Sequence, residues 1–187
     1  TWGSYGSEEG QLDFPLGIAL DSSNNVYVLD SWNSRVQKFT ANGEFLLSMG
    51  GSECQNTMFF MARGITIDSN DIVYVLDSEG ARILKFSTNG TKLASIGCLS
   101  TIDSSYNYAC GICVDPDGDI FVADGIWDTV RKYTQEGLLL AEWGNYGTAF
   151  GEFRISTGLA LDSSGNIYVA DMMNDRIQKF GKGNALP

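Results

Sequence analysis

Phe14-Pro15-Leu16-Gly17-Ile18-Ala19-Leu20-Asp21, then Asn25-Val26-Tyr27-Val28-Leu29-Asp30, then Asn33-Ser34-Arg35-Val36-Gln37-Lys38-Phe39, is the stretch that decides the fold. Short apolar and β-branched runs alternate with clusters of Asp, Ser and Asn, the pattern of strands joined by tight turns. The stretch then recurs. Its Gly-Ile/Leu pair falls at Gly17, Gly64, Gly111 and Gly158, a step of 47 residues. The first turn aspartate repeats in the same register at Asp21, Asp68, Asp115 and Asp162, and the second at Asp30, Asp77, Asp124 and Asp171. An aromatic residue closes each copy at Phe39, Phe86, Tyr133 and Phe180.

Each copy reads as four strands, a to d. Strand a is a run such as 16–20, strand b a run such as Val26-Tyr27-Val28-Leu29, and strand c a run such as 35–39. Asn42-Gly43, Asn89-Gly90 and Glu136-Gly137 are hairpin turns into strand d, which ends at Gly50, Gly97 and Gly144. Four-stranded units at this period are the blades of a β-propeller, and no long helical pattern competes. A blade alone leaves both sheet faces bare, so it must stack on neighbours. The fold expected is all-β: a propeller of four antiparallel blades, closed by itself or forming part of a larger or oligomeric ring. One domain spans 1–187, with blades near 4–50, 51–97, 98–144 and 145–187. Thr1-Trp2-Gly3 matches Ser48-Met49-Gly50 and Glu142-Trp143-Gly144, so residues 1–3 are expected to complete the last blade, unless the chain is cut from a longer array.

Composition narrows the function. The chain has 187 residues, with Asp and Glu at 23 against 12 Lys and Arg, for a net charge of −11. Nucleic-acid binding needs clustered Lys and Arg, and no such cluster exists. Anionic membrane surfaces are disfavoured for the same reason, and no apolar run is long enough to span a bilayer. There is no histidine, which removes the commonest general base and metal ligand.

The quoted segments, with Gly165-Asn166-Ile167-Tyr168-Val169-Ala170-Asp171 and Asn174-Asp175-Arg176-Ile177-Gln178-Lys179-Phe180 in the fourth copy, resemble NHL repeats. The resemblance covers essentially the whole chain. It implies a propeller that usually closes with six blades and an interaction scaffold, not an enzyme. Related propellers include an amidating lyase and lactonase-like hydrolases, which hold metals in the channel with His, Asp or Glu. Here strand a, which lines the channel, carries mainly Gly, Ile, Leu, Ala, Thr and Val. Some NHL propellers bind RNA through a basic face that this sequence lacks. The partner expected is a protein or carbohydrate, with no cofactor, no nucleic acid and no membrane. A homo-oligomer formed through blade ends, as a structural unit, is the alternative.

Several residues carry candidate chemistry. Asp30 and Arg35, Asp77 and Arg82, and Asp171 and Arg176 sit five apart across the b–c hairpin and are expected as structural pairs. The third copy departs, with Thr129 opposite Asp124 and Arg131 two residues on, so Asp124 is expected to be less well paired, with Asp128 beside it. Asp115-Pro116-Asp117-Gly118-Asp119 resembles the start of a calcium loop but lacks the distal glutamate; a hairpin turn is the plainer reading. Cys113 matches Ala19, Thr66 and Ala160 and is expected as a buried thiol. Cys54, Cys98 and Cys110 fall near the d–a loops, and Cys98–Cys110 or Cys54–Cys98 is a candidate disulfide. Asn89-Gly90-Thr91 is an N-glycosylation sequon; with a disulfide and the acidic charge it points to an extracellular or periplasmic setting.

The d–a loops, near 51–61, 98–108 and 145–155, vary while the strands do not. They and the b–c loops emerge on one face, the usual place for binding on a rigid scaffold. That face is expected to carry Trp32, Trp127, Tyr5, Tyr146, Met172 and Met173 with Asp103, Glu53 and Asp128. Leu12, Phe59, Tyr106 and Phe153 share one repeat position and read as staples beneath the loops.

Overall fold

The computed structural model describes residues 1–51, 59, 61–97 and 109–181. A short parallel pair comes first, β1 (Ser4–Tyr5) beside β2 (Gln11–Leu12). The first repeat is a sheet in the order β3 (Pro15–Leu20), β4 (Val26–Asp30), β5 (Arg35–Phe39), β6 (Phe45–Gly50). The second holds β7 (Ala62–Ile67), β8 (Val73–Asp77), β9 (Arg82–Phe86) and β10 (Lys92–Ile96). The third holds β11 (Ala109–Val114), β12 (Ile120–Asp124), β13 (Thr129–Tyr133) and β14 (Leu139–Trp143). The fourth holds β15 (Ser156–Leu161), β16 (Ile167–Asp171) and, after a 3-10 turn at Met172–Asn174, β17 (Arg176–Phe180). All four sheets are antiparallel meanders, one per repeat, and the fold is an all-β, four-bladed propeller. Among the described residues β17 has no outer strand.

The turn aspartates explain why each hairpin forms where it does. Asp21 Oδ1 accepts the backbone N–H of Ser23 and Asn25, fixing the a–b turn, while the Tyr27 hydroxyl donates to its other oxygen at 3.1 Å. Asp68 does the same with Asn70, Ile72 and Tyr74, and Asp162 with Ser164, Asn166 and Tyr168. At the c–d turns, Gly43, Gly90 and Gly137 take φ of 89°, 86° and 91°, a region that only glycine enters without strain.

The chain divides into two compact units, Thr1–Ile96 and Gly97–Pro187, each holding two blades. In the first, Tyr27, Leu29, Val36 and Met49 of one sheet pack on Ile65, Val73, Val75, Leu84 and Phe86 of the next, over Phe59. In the second, Cys113, Phe121, Val130 and Trp143 pack on Ile167, Val169 and Phe180, over Phe153. Both cores use the same repeat positions. Gly17 shows why strand a begins with glycine: a Cβ there would lie 2.8 Å from Ile65 Cγ2 of the neighbouring blade. A Cβ on Gly111 would lie 2.5 Å from the Thr157 carbonyl oxygen of its neighbour. The bare backbone is what lets the blades close on each other.

Trp2 is packed in a telling position. It lies 4.6 Å, ring centre to ring centre, from Phe39 on the first blade, as Trp143 lies 5.9 Å from Phe180 on the fourth. The loop that follows repeats too. The β1–β2 pairing of Tyr5 with Leu12 is matched by a parallel bridge between Tyr146 and Phe153. The staple position holds as well: Phe59 and Phe153 are buried, and Leu12 packs on Val26, Val28 and Phe39. Tyr106 lies outside the described residues.

Candidate functional site

The loops of the rim rest on buried carboxylates. Asp30 is fully buried, and its oxygens accept the Arg35 Nε–H at 2.8 Å, the Gln37 amide at 3.0 Å, the Asn33 amide and the Asp13 backbone N–H at 2.7 Å. Arg35 then donates through Nη2 to the carbonyls of Glu8 and Gln11, tying down the loop before the blade. The fourth blade repeats the set. Asp171 accepts from Arg176 at 2.7 Å, from Gln178, from Asn174 and from the Arg154 backbone, and Arg176 clamps the carbonyls of Thr148, Ala149 and Glu152. Burial would raise the Asp171 carboxyl, but these donors outweigh it and hold it below the ordinary value. In the second blade Arg82 lies 2.9 Å from Asp77. In the first and fourth blades the pair therefore fixes loop backbone as well as the b–c hairpin.

Asp124 is better held than the sequence suggests. Arg131 Nη1 reaches it at 2.8 Å, and Arg131 Nε also meets Glu142. The guanidinium has moved from the position of Arg35 to that of Gln37, and the contact survives.

On this footing each unit presents its own aromatic rim. In the first unit Trp32 is 64% and Tyr5 83% exposed, and Phe14 stacks on Trp32 with ring centres 5.0 Å apart and planes 22° from parallel. Phe14 holds φ of 49°, so the backbone turns its ring outward beside the indole at some strain. Phe14 is a rim residue that lies inside the repeat motif; its position holds Met61, Tyr108 and Ile155 in the other copies, so the repeat alone does not set it apart. In the second unit Trp127, Tyr146, Met172 and Met173 are exposed, and the Arg154 guanidinium sits over the Tyr146 ring at 5.6 Å. Phe150, also exposed, lies tilted against Phe180 with ring centres 5.3 Å apart, a contact that the sequence did not mark.

Other candidates are placed differently. Asp128 is buried, and it accepts the Ile155 backbone N–H at 2.6 Å. Burial raises its carboxyl above the ordinary value. Its geometry is that of a loop anchor, not of a group on the rim surface. Asp115 Oδ1 is occupied by the N–H groups of Asp117 and Asp119, and Lys132 Nζ lies 2.6 Å from Asp119 and 3.6 Å from Asp115. The carboxylates there serve a turn and a lysine. Among the described residues no group of three or more His, Cys, Asp or Glu side chains is placed to hold a metal. Cys113 is buried, and burial pushes its thiol up to about 12, far from a reactive thiolate. Cys54, Cys98, Glu53 and Asp103 lie outside the described residues, as does the side chain of Cys110, and with them the candidate disulfide.

Stacked four-stranded blades carrying loop-borne aromatics define the class as a repeat-built β-propeller. Within that class, residues 12–39 match the NHL repeat, and the resemblance to NHL-repeat propellers holds. Protein brain tumor of Drosophila melanogaster is 38% identical over 53 residues, 28% of this chain and 5% of that protein. Among solved structures, a catalytically inactive virginiamycin B lyase from Staphylococcus aureus with quinupristin superposes with a TM-score of 0.68 at 13% identity, covering 92% of this chain and 54% of that one. A chain of a nidogen/laminin complex superposes with a TM-score of 0.63 at 16% identity, covering 96% and 68%. The chain thus spans a small part of its sequence relative and about half of the lyase. At such identities the structural likeness establishes the fold, and the fold serves interaction scaffolds and enzymes alike.

Proposed function

We propose that the chain is a non-catalytic interaction scaffold that holds a protein or glycan partner on its d–a and b–c loops. The observation that carries the reading is the Phe14–Trp32 stack, two large exposed rings fixed above a fully buried, four-donor carboxylate. An ordered aromatic platform with a polar surround gives contact area at low entropic cost. A protein partner is favoured over a glycan, since one structural relative is a nidogen/laminin complex. An extracellular or periplasmic setting fits the acidic charge and the sequon, whose Asn89 is exposed in a turn. The absence of histidine and the occupied carboxylates speak against the metal-dependent lyase or hydrolase alternative.

A photo-crosslinking amino acid placed at Tyr5, next to the stack, tests the reading in extracellular fluid, with a glycan array run in parallel. A crosslinked protein or bound glycan that disappears in Trp32→Ala and Phe14→Ala, while thermal unfolding is unchanged, supports it. Binding that persists in both variants overturns it. Asn89→Gln would remove a glycosidase-sensitive mass if the chain is secreted by a eukaryotic cell.

A further inference from the structure

We infer that the loop before the first blade seats an arginine side chain of a protein partner, with the guanidinium over the Tyr5 ring and paired with the Asp13 carboxylate. The inference rests on the scaffold function proposed above and names the chemistry that its partner brings. The fourth blade supplies the template. Tyr146 and Arg154 hold the repeat positions of Tyr5 and Asp13, and there the Arg154 guanidinium covers the Tyr146 ring at 5.6 Å. The backbone frame is the same in both places. The Asp13 N–H donates to Asp30 at 2.7 Å, and the Arg154 N–H donates to Asp171 at 2.7 Å. The carbonyl of Asp13 accepts the Trp32 N–H at 3.2 Å, and that of Arg154 accepts the Met173 N–H at 2.9 Å. Tyr5 pairs with Leu12 as Tyr146 pairs with Phe153.

What differs is the side chain in that frame. Arg154 reaches over its own tyrosine, whereas Asp13 is too short to do so, and Tyr5 is 83% exposed against 69% for Tyr146. A ring face attracts a cation, and a carboxylate beside the ring gives that cation a charge partner. The surroundings carry the same sign. Residues 4–14 hold Glu8, Glu9 and Asp13 with no Lys or Arg, while the matching 145–155 sets Arg154 against Glu152. Arg35, which reaches this loop, is committed to Asp30 and to the Glu8 and Gln11 carbonyls. Among the described residues no Lys or Arg pairs with Asp13. Arginine suits the place better than lysine, because its planar fork both stacks on a ring and matches the two oxygens of a carboxylate.

The probes are the peptide acetyl-Gly-Arg-Gly-amide and its citrulline counterpart, which keeps the shape and loses the charge. They are titrated into the whole chain labelled with fluorotyrosine, with the two ring signals assigned by Tyr5→Phe and Tyr146→Phe. The Tyr5 signal is expected to shift with the arginine peptide in the millimolar range, and the citrulline peptide to bind about tenfold more weakly. Asp13→Arg rebuilds the fourth-blade pair on the first, so its own guanidinium takes the ring and binding at Tyr5 falls to the citrulline level. Arg154→Asp does the reverse and gives Tyr146 an arginine response that the wild type lacks. Each variant carries a residue that the repeat already holds in the same backbone frame, so the fold is retained. Equal binding of the two peptides overturns the inference, because a neutral ligand such as a glycan would then serve as well. So does a Tyr5 signal that ignores the arginine peptide, a response that survives Asp13→Arg, or a silent Tyr146 in Arg154→Asp. Any of these leaves the scaffold function standing if the photo-crosslink placed at Tyr5 is still lost in Trp32→Ala and Phe14→Ala. A crosslink that persists in both variants removes that function whatever the peptides do.

Discussion

Arg131 Nη1 donates to Asp124 Oδ2 at 2.8 Å from a position two residues beyond the one that holds the arginine in the other blades. In the first blade the same two positions are Arg35 and Gln37, and both donate to Asp30. The third blade has Thr129 and Arg131, so one guanidinium replaces two donors. Both Arg131 and Asp124 are buried. Removing one member of a buried ion pair leaves the other without compensation, at a cost of about 3 kcal/mol. Arg131→Gln should lose about that much in urea unfolding. Adding Thr129→Arg to it rebuilds the arrangement of the first blade and should recover more than half of the loss. If the double variant is no more stable than the single one, the two positions are not interchangeable and the compensation is wrong.

A second consequence lies in the b–c loops. Ser34, Ala81, Asp128 and Asp175 share a repeat position and all take a left-handed backbone, with φ of 54°, 48°, 53° and 52°. Alanine gains nothing from a local side-chain hydrogen bond there and carries the full steric cost of its Cβ. Ala81→Gly should therefore raise stability by about 1 kcal/mol, read as a higher urea midpoint at an unchanged slope. The reverse change in a strand, Gly17→Ala, should destabilise, because its Cβ would meet Ile65 at 2.8 Å.

The contrast between those two substitutions shows how much of the molecule was legible in the sequence. The 47-residue period gave blade number, strand order and turn positions, because turn chemistry and strand alternation are local properties. It did not give the reason for Gly17, which depends on a neighbouring blade, nor the left-handed backbone at Ala81, which the chain adopts to close the loop. In the candidate site, Trp32 was visible as an unrepeated aromatic and Tyr5 as one that recurs at Tyr146, but Phe14 was hidden inside the repeat motif. Asp128 looked like a rim carboxylate from its loop position; its burial follows from the approach of the Ile155 backbone, a contact across 27 residues.

Acid should weaken the fold through the turn aspartates. Burial would raise the Asp21 carboxyl, but the hydrogen bonds from Asn25, Lys38 and Tyr27 outweigh it and hold it at about 2. Hydrogen bonds from Asn166, with those from Tyr168 and Ser164, bring Asp162 to about 2 as well. An unfolded aspartate titrates near 4. The folded values are depressed, so this stabilisation is complete above about pH 4 and is lost as pH falls towards 2. Asp21, largely buried, should contribute on the order of 2 kcal/mol. Asp21→Asn should lower the melting temperature at pH 7 and flatten the fall between pH 4 and 2. An acid limb as steep as that of the wild type would assign it to other groups.

Asp128 runs the other way. Burial raises its carboxyl, and the charges of Asp171 and Asp124 add to the effect, while the Ile155 N–H opposes it. A folded value above the unfolded one favours the protonated form. Its contribution is therefore complete below about pH 4, the unfolded value, and is lost as pH rises through the folded one. Asparagine keeps an oxygen for the Ile155 N–H and tolerates the left-handed backbone, without the buried charge. Asp128→Asn should match the wild type at acid pH and exceed it at pH 7, with the gap opening as pH rises. Asp128→Ala loses the acceptor and should be less stable than the wild type by about 1–3 kcal/mol. Thermal unfolding at pH 4 and pH 7 separates the cases. A gap between wild type and Asp128→Asn that does not change with pH would mean that the carboxylate is solvated and belongs to the rim surface after all.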